Sequence, residues 1–456
     1  MVLVTVLSLF GYIASLAVSL TWYGADLMNF RWLTLFIVVI TSASYWTLAR
    51  QGKLSRWEKR DNILVLTYLI LTFTTVIAAE NLLFSGLRWA SHGLMIITLL
   101  ILLKNSLTAE RTVDILLFVK AVIAALLLVS WLKPLSPLAI LGGGVEAYKG
   151  TFGSSNALGQ VAAVGAILYL HGVFTDKAKW MCMSQGGMLG LAVWLMWLTG
   201  SRSALVAFLT GLTMMYYFYP KLVRGKVVVV VLLAALLMMA FPWVPGKIQQ
   251  TVLRSSEPVH SLSEQLLRTR KSVWASAWSG FQRRPLFGWG FGATSDIPKE
   301  WTVELKALGT VTRDAVNDTL FALEGTGVVG LGAYALLVIF ALRQIPTRRE
   351  RHLLGRIYSR SRLKSFDLSV YHLHAITFIV AASLLLMVQF DNTALSAGNF
   401  VSVTLWLCVT LAGTVRSKVM TDEVADQRRQ RLIQYQTGAS EAPGWAKEAK
   451  QFSPRK

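Results

Sequence analysis

Residues 244–292 read VPGKIQQTVLRSSEPVHSLSEQLLRTRKSVWASAWSGFQRRPLFGWGFG, and they open the longest polar interruption in an otherwise apolar chain. The interruption runs on to Val316. On both sides the chain returns to apolar runs near the roughly 20 residues that an α-helix needs to cross a bilayer. A soluble protein would hide its apolar runs around such a stretch. A polytopic membrane protein instead places it outside the bilayer as one large loop. That second reading decides the fold: an all-α polytopic membrane protein with one long extracytoplasmic loop.

The composition agrees. The 456 residues are 54% hydrophobic and 15% charged, with a mean hydropathy of +0.52; soluble domains carry about 25% charged residues. About 12 transmembrane helices are predicted, near 2–20, 30–49, 62–79, 85–103, 113–132, 155–173, 181–199, 203–219, 227–243, 318–342, 370–390 and 400–415. The first run lacks a basic start and a clean cleavage site, so it reads as an anchor rather than a leader.

Basic connectors orient the bundle. Residues 50–60 carry Arg50, Lys53, Arg56, Lys59 and Arg60, and residues 343–364 carry seven arginines and Lys364. Both belong in the cytoplasm by the positive-inside tendency. Counting helices between them puts Lys104 and Arg111, Lys177 and Lys179, and Lys221, Arg224 and Lys226 on that same side. Both termini are then cytoplasmic and the stretch 244–316 lies outside. The predicted division is a transmembrane bundle over 1–418 holding that loop, followed by a basic cytoplasmic tail over 419–456. The tail mixes both charges with Gln, Ser, Pro and Gly, which reads as a short helix followed by disorder.

A net charge of +21 could suggest nucleic acid. Most of it lies in connectors and tail, where it orients the protein and meets anionic lipid, so no nucleic-acid partner is expected. Cys182 and Cys408 fall in predicted helices and fit neither a disulfide framework nor a zinc site.

Three features meet on the outer side. Arg202, in LTGSRSALVAF (198–208), sits at a helix boundary. There an arginine can simply snorkel to the headgroups, or it can grip a phosphate with its planar fork. In the loop, Ser261 and Glu264 have capping-box spacing. Leu267, Trp274, Trp278 and Phe281 follow at helical spacing, predicting an amphipathic interfacial helix flanked by Arg270 and Lys271. The run RRPLFGWGFG (283–292) reads as a tight turn re-entering the membrane face. Its glycines are wrongly spaced for a dinucleotide fingerprint, and no Walker lysine follows. The third feature is VNDTLFALEGTGVVGLGAYALL (316–337). Asn317 and Asp318 stand at a helix start, where both residue types serve as caps. Gly327 and Gly330 offer a small-residue face for helix packing.

Taken in order, GTFGSSNALGQ (150–160), LTGSRSALVAF, Arg270 with Trp274 four residues on, RRPLFGWGFG and Asn317 with Gly327 and Gly330 resemble the O-antigen ligase and O-antigen polymerase superfamily. The resemblance covers about 150–340. It implies a membrane glycosyltransferase, independent of metal and cofactor, at the periplasmic face of the bacterial inner membrane. The donor it implies is an undecaprenyl-diphosphate-linked glycan, and the acceptor a glycan or lipid. Membrane lipids are the surrounding partner, and a polysaccharide export complex is a further one. Arg202, Arg270 and Asn317 would take the catalytic places, with Arg202 and Arg270 gripping the diphosphate as leaving group. Asn156, Lys271, Arg313 and Asp318 would contact substrate. One position departs from the ligase branch: Val316 stands where a histidine usually precedes the asparagine. Asp314, Asp318, Glu324, His260 and His92 are the nearest ionisable groups.

The residues agree on substrate class without the family. No Asp-x-Asp pair is present in the outer loop to hold a metal-bound nucleotide sugar, and such sugars are cytoplasmic. A transporter or flippase would instead want ionisable groups deep in the helices, where Lys120 is the clearest. A non-catalytic scaffold of an export complex is the third class.

Overall fold

The structure is a computed structural model, and it describes residues 36–44, 56–104, 107, 109–133, 148–152, 154–176, 178–219, 262–295, 317–344, 370–390 and 400–416. All regular structure among these residues is helical. After a helical segment over 36–44, the helices are α1 (Arg56–Ile77), α2 (Leu82–Ile96, continued as a π-helical turn over Ile97–Leu103) and α3 (Ala109–Leu132). Next come α4 (Ser155–Thr175), α5 (Lys179–Thr199) and α6 (Arg202–Phe218). The loop helix is α7 (Leu262–Arg283), and α8 (Asp318–Leu342), α9 (Val370–Met387) and α10 (Phe400–Arg416) complete the set.

Among the described residues, six helices are long and apolar enough to span a bilayer: Lys59–Ile77, Leu82–Leu103, Arg111–Leu132, Ser155–Thr175, Lys179–Thr199 and Asp318–Leu342. The expected spans at 370–390 and 400–415 appear as shorter apolar helices, His372–Met387 and Phe400–Arg416. The expected spans at 2–20 and 227–243, and the tail 419–456, lie outside the described residues; that at 30–49 is described only over 36–44.

Short polar caps explain where the helices begin. Asn81, Ser154, Ser201 and Asn317 each accept a hydrogen bond from a backbone N–H in the first turn of α2, α4, α6 and α8, satisfying one of the donors that a helix start leaves open. Helix α5 ends on Gly200 in the left-handed conformation (φ 58°), the common glycine stop.

Helix α4 is the axis of the bundle. It packs on α3, α5, α6 and α9, and 89% of its spanning window is buried, against 22% for α5. Trp180, Met183 and Trp194 of α5 therefore face outward; apolar side chains there suit lipid rather than water. Helices α1 and α8 pack together, as do α6 and α9.

Contacts sort the helix ends into two sets. Asn317 Nδ2 donates to the Gln389 carbonyl (2.8 Å), Tyr148 N to the Leu198 carbonyl (3.3 Å), and Arg284 pairs with Glu80. At the opposite end Lys104 pairs with Asp61, Thr414 Oγ1 donates to the Lys104 carbonyl, and Tyr219 OH to the His372 carbonyl. This is the alternation that the basic connectors predict.

Candidate functional site

The centre of the first of these ends is a break in α8. Gly327 takes φ 63° and ψ −162°, far outside helical values. In an unbroken helix the N–H groups of Val328 and Val329 would donate to the carbonyls of Glu324 and Gly325. Here they turn away. Val328 N donates to the Pro285 carbonyl (2.9 Å) and Val329 N to the Leu286 carbonyl (3.2 Å), both in the turn after α7. The carbonyls they leave are taken by that same turn: Trp289 N donates to Glu324 O (3.3 Å) and Gly290 N to Gly325 O (2.6 Å). Two intrahelical bonds are thus exchanged for four between segments. The exchange satisfies the irregular backbone inside the apolar helix Asp318–Leu342, where a bilayer would offer no water to do so. At about 1.5 Å per residue the break lies roughly 14 Å along α8 from its start.

The turn is built to fit. Gly288, Gly290 and Gly292 all have positive φ (64°, 117° and 71°). A Cβ on Gly288 would lie 2.5 Å from the Glu324 carbonyl oxygen, and one on Gly327 would lie 2.3 Å from that of Leu286. The expected tight turn is therefore present. The role expected for Gly327 is corrected: the element it admits is this turn, not a neighbouring helix.

Side chains lock the joint. The Glu324 carboxylate is buried and accepts from Ser295 N (3.1 Å) and Ser295 Oγ (2.8 Å). Trp289 Nε1 donates to the Gly280 carbonyl (3.0 Å), and the Arg284 guanidinium lies 4.7 Å from the centre of the Trp289 ring. On the far side, Arg88 Nη1 and Ser85 Oγ donate to the carbonyls of Gly292 and Phe291 (both 3.1 Å). His92 packs on Phe291 and is hydrogen-bonded to Tyr68 OH (2.8 Å).

Helix α7 docks on α8 through small residues. Ala277 is buried with Phe321, Ala322 and Tyr334, and Gly280 lies against Glu324. Trp278 of the aromatic stripe takes no part in this contact, being 49% exposed. Position 270 stands seven residues before Ala277, on the same face of α7. Lys271, one residue on, is exposed. Trp274 lies one turn beyond position 270, and its Nε1 is shielded from solvent with no hydrogen-bond partner among the described residues. Sequence reading placed Trp274 in a motif but gave its N–H no task.

The other expected site residues fall out as follows. Arg202 opens α6 and is half-buried beside buried Ser201 and Ser203, whose hydroxyls are 3.2 Å apart. Ser201 and Thr199 press on Gly159 of α4, and Asn156, one turn earlier on α4, is exposed. Asn317 is held as a cap, accepting from Leu320 N (2.9 Å) while its Nδ2 donates to Gln389 O. Asp318 is fully buried near Tyr68 and Tyr334, so a substrate does not reach it in this conformation. Arg313, Asp314, Val316 and His260 lie outside the described residues. Lys120 lies over the Tyr169 ring (5.6 Å) and near Asp176, a local arrangement in α3 and α4. Among the described residues no three His, Cys, Asp or Glu side chains converge as a metal site would require.

The decisive comparison concerns the very segments just described. Residues 187–335 match the O-Antigen ligase family. The match covers about a third of the chain and supports the resemblance to the O-antigen ligase and polymerase superfamily. It takes in most of α5, all of α6 and α7, the glycine turn and α8 past its break. No curated protein matches the chain. The family places the segment among membrane glycosyltransferases of the ligase and polymerase type, whose substrates are lipid-linked glycans.

Proposed function

We propose that the protein transfers glycan from an undecaprenyl-diphosphate-linked donor to a glycan or lipid acceptor at the periplasmic face of the bacterial inner membrane. The observation that carries this reading is the joint between the glycine turn and α8. It fixes α7, and with it position 270, at the same end of the bundle where Arg202 opens α6 and Asn317 opens α8. An anionic diphosphate at the membrane surface would find two arginine positions there, on separate elements and both within the segment matching the family.

In the reaction the acceptor hydroxyl oxygen attacks C1 of the donor sugar. The bond between C1 and the diphosphate oxygen breaks, and its electron pair leaves with undecaprenyl diphosphate. Negative charge therefore grows on the diphosphate in the transition state. Fixed guanidinium groups aimed at that charge lower the barrier without needing a metal. Arg202 and Arg270 take this role, and bidentate Arg–phosphate geometry suits it. The acceptor's proton passes to water or to a diphosphate oxygen, since Val316 cannot take it. Trp274 Nε1 adds a donor beside position 270. Asn317 orients the start of α8, while Asn156, Lys271 and Arg313 line the approach. Both termini lie in the cytoplasm.

The test uses a deletion strain rescued by wild type, Arg202→Ala or Arg270→Ala, with carrier-linked and surface glycans run on gels. Accumulated single carrier-linked repeats in both variants assign a polymerase, and long carrier-linked chains lacking an acceptor assign a ligase. Unchanged pools in both variants, with the protein in the membrane, remove the proposed roles.

A further inference from the structure

The matched segment begins at residue 187, yet the joint that holds α7 has a wall supplied from far outside it. Glu80 and the first turns of α2 form that wall. Glu80 Oε1 meets Arg284 Nη2 at 2.5 Å, with side-chain exposures of 16% and 36%. Ser85 Oγ and Arg88 Nη1 bind the carbonyls of Phe291 and Gly292, and a Cβ on Gly290 would press 2.5 Å from Ala79 Cβ. The glycine turn is therefore gripped from two sides: by the opened backbone of α8 and by the α1–α2 hairpin. Arg284 is the residue at which α7 passes into the turn, and Trp289 covers its guanidinium.

We propose that Glu80 and Arg284 are positioning residues for the transfer reaction, pinning the C-terminal end of α7 to the α1–α2 hairpin so that position 270 stays registered with Arg202. The proposal rests on reading α7 as the carrier of a diphosphate-binding arginine. It follows from leverage. Position 270 is fourteen residues from Arg284, about 21 Å along a straight helix. A small tilt at the pinned end becomes a displacement of an ångström or more at 270, and a misplacement of that size costs on the order of a hundredfold in rate. The contacts of α7 on α8 at Ala277 and Gly280 lie close to the pivot, where they restrain such a tilt weakly. The Glu80–Arg284 pair restrains it beyond the pivot. Arg284 is thereby committed to a carboxylate and is not a third phosphate ligand.

The experiment measures geometry and transfer in the same full-length variants. Spin labels at Ala275→Cys, exposed on α7, and Leu83→Cys, in a chain carrying Cys182→Ser and Cys408→Ser, report the distance from α7 to the hairpin without substrate. Glu80→Gln is expected to broaden that distance and to lower donor kcat/KM between about tenfold and a hundredfold. The exchanged pair, Glu80→Arg with Arg284→Glu, is expected to narrow the distance again and to recover most of the transfer, although it loses the stacking on Trp289. Unchanged distance and transfer in Glu80→Gln would overturn the proposal. So would a broadened distance with wild-type transfer, and so would failure of the exchanged pair to recover either quantity while the protein melts normally. A wild-type chain that transfers no glycan would instead overturn the function itself, and the label distances would still report on the pin.

Discussion

At the scale of single residues, the side chains around the break in α8 separate conformational necessity from chemistry. Gly327 needs both its left-handed φ and the space that a Cβ would take from the Leu286 carbonyl. Gly327→Ala should therefore cost about 1–3 kcal/mol, read as a lowered melting temperature in detergent. Gly332, five residues on in the same helix, has open space at its Cβ position. Gly332→Ala should leave stability unchanged or raise it by roughly 0.5–1 kcal/mol. Equal losses at the two positions would show that the break is not the constraint. Asn317 allows a sharper separation. Asn317→Asp keeps the oxygen that caps α8 but lacks the N–H that reaches Gln389. It should retain most of the cap's ~1 kcal/mol while transfer falls; a variant with full transfer would make Asn317 a cap and nothing more. Trp274→Phe removes only the indole N–H and some bulk. Transfer should fall while the melting temperature holds within about 2–4 °C, since no partner among the described residues loses a bond. Wild-type transfer in that variant would remove Trp274 from the site.

At the scale of elements, the sequence was legible wherever the signal is local. Helices near 62–79, 113–132, 155–173, 181–199, 203–219 and 318–342 follow from apolar length. Their starts follow from Asn81, Ser154, Ser201 and Asn317, whose short oxygens suit helix caps. The turn in RRPLFGWGFG was legible because proline and closely spaced glycines cannot continue a helix. What it pairs with was not. The bonds between residues 285–290 and 324–329 join segments some forty residues apart, and such pairing leaves no periodic trace in either. Gly327 therefore reads as a helix-packing residue until its partner is seen. The docking face of α7 was hidden for a related reason. Periodicity shows that Trp274, Trp278 and Phe281 share a side, but not which side meets the bundle. Close approach to α8 is made by Ala277 and Gly280, because small residues let backbones come near. Trp278 is left at the surface, where a tryptophan suits the headgroup region. Trp278→Ala should accordingly change stability by less than about 0.5 kcal/mol, whereas Ala277→Trp should unseat α7 and abolish transfer. Retained transfer in Ala277→Trp would contradict the docking seen here.

At the scale of the whole molecule, a helical bundle carries α7 docked near the start of α8. The contacts that sort helix ends into two sets follow the alternation set by the basic connectors. The assignment of the loop end to the periplasm extends that pattern. A membrane-impermeant thiol reagent applied to intact spheroplasts should label Lys271→Cys, which is exposed on α7; labelling only after permeabilisation would reverse the orientation. The central claim is that Arg202 and Arg270 together stabilise a departing diphosphate at that end. The most direct test is transfer by purified protein from a synthetic polyprenyl-diphosphate glycan, comparing wild type, Arg202→Ala, Arg270→Ala and the exposed neighbour Lys271→Ala. The account predicts loss of kcat of about a hundredfold or more at each arginine, a much smaller change at Lys271, and normal melting throughout. Arginine variants that transfer as wild type does would contradict it.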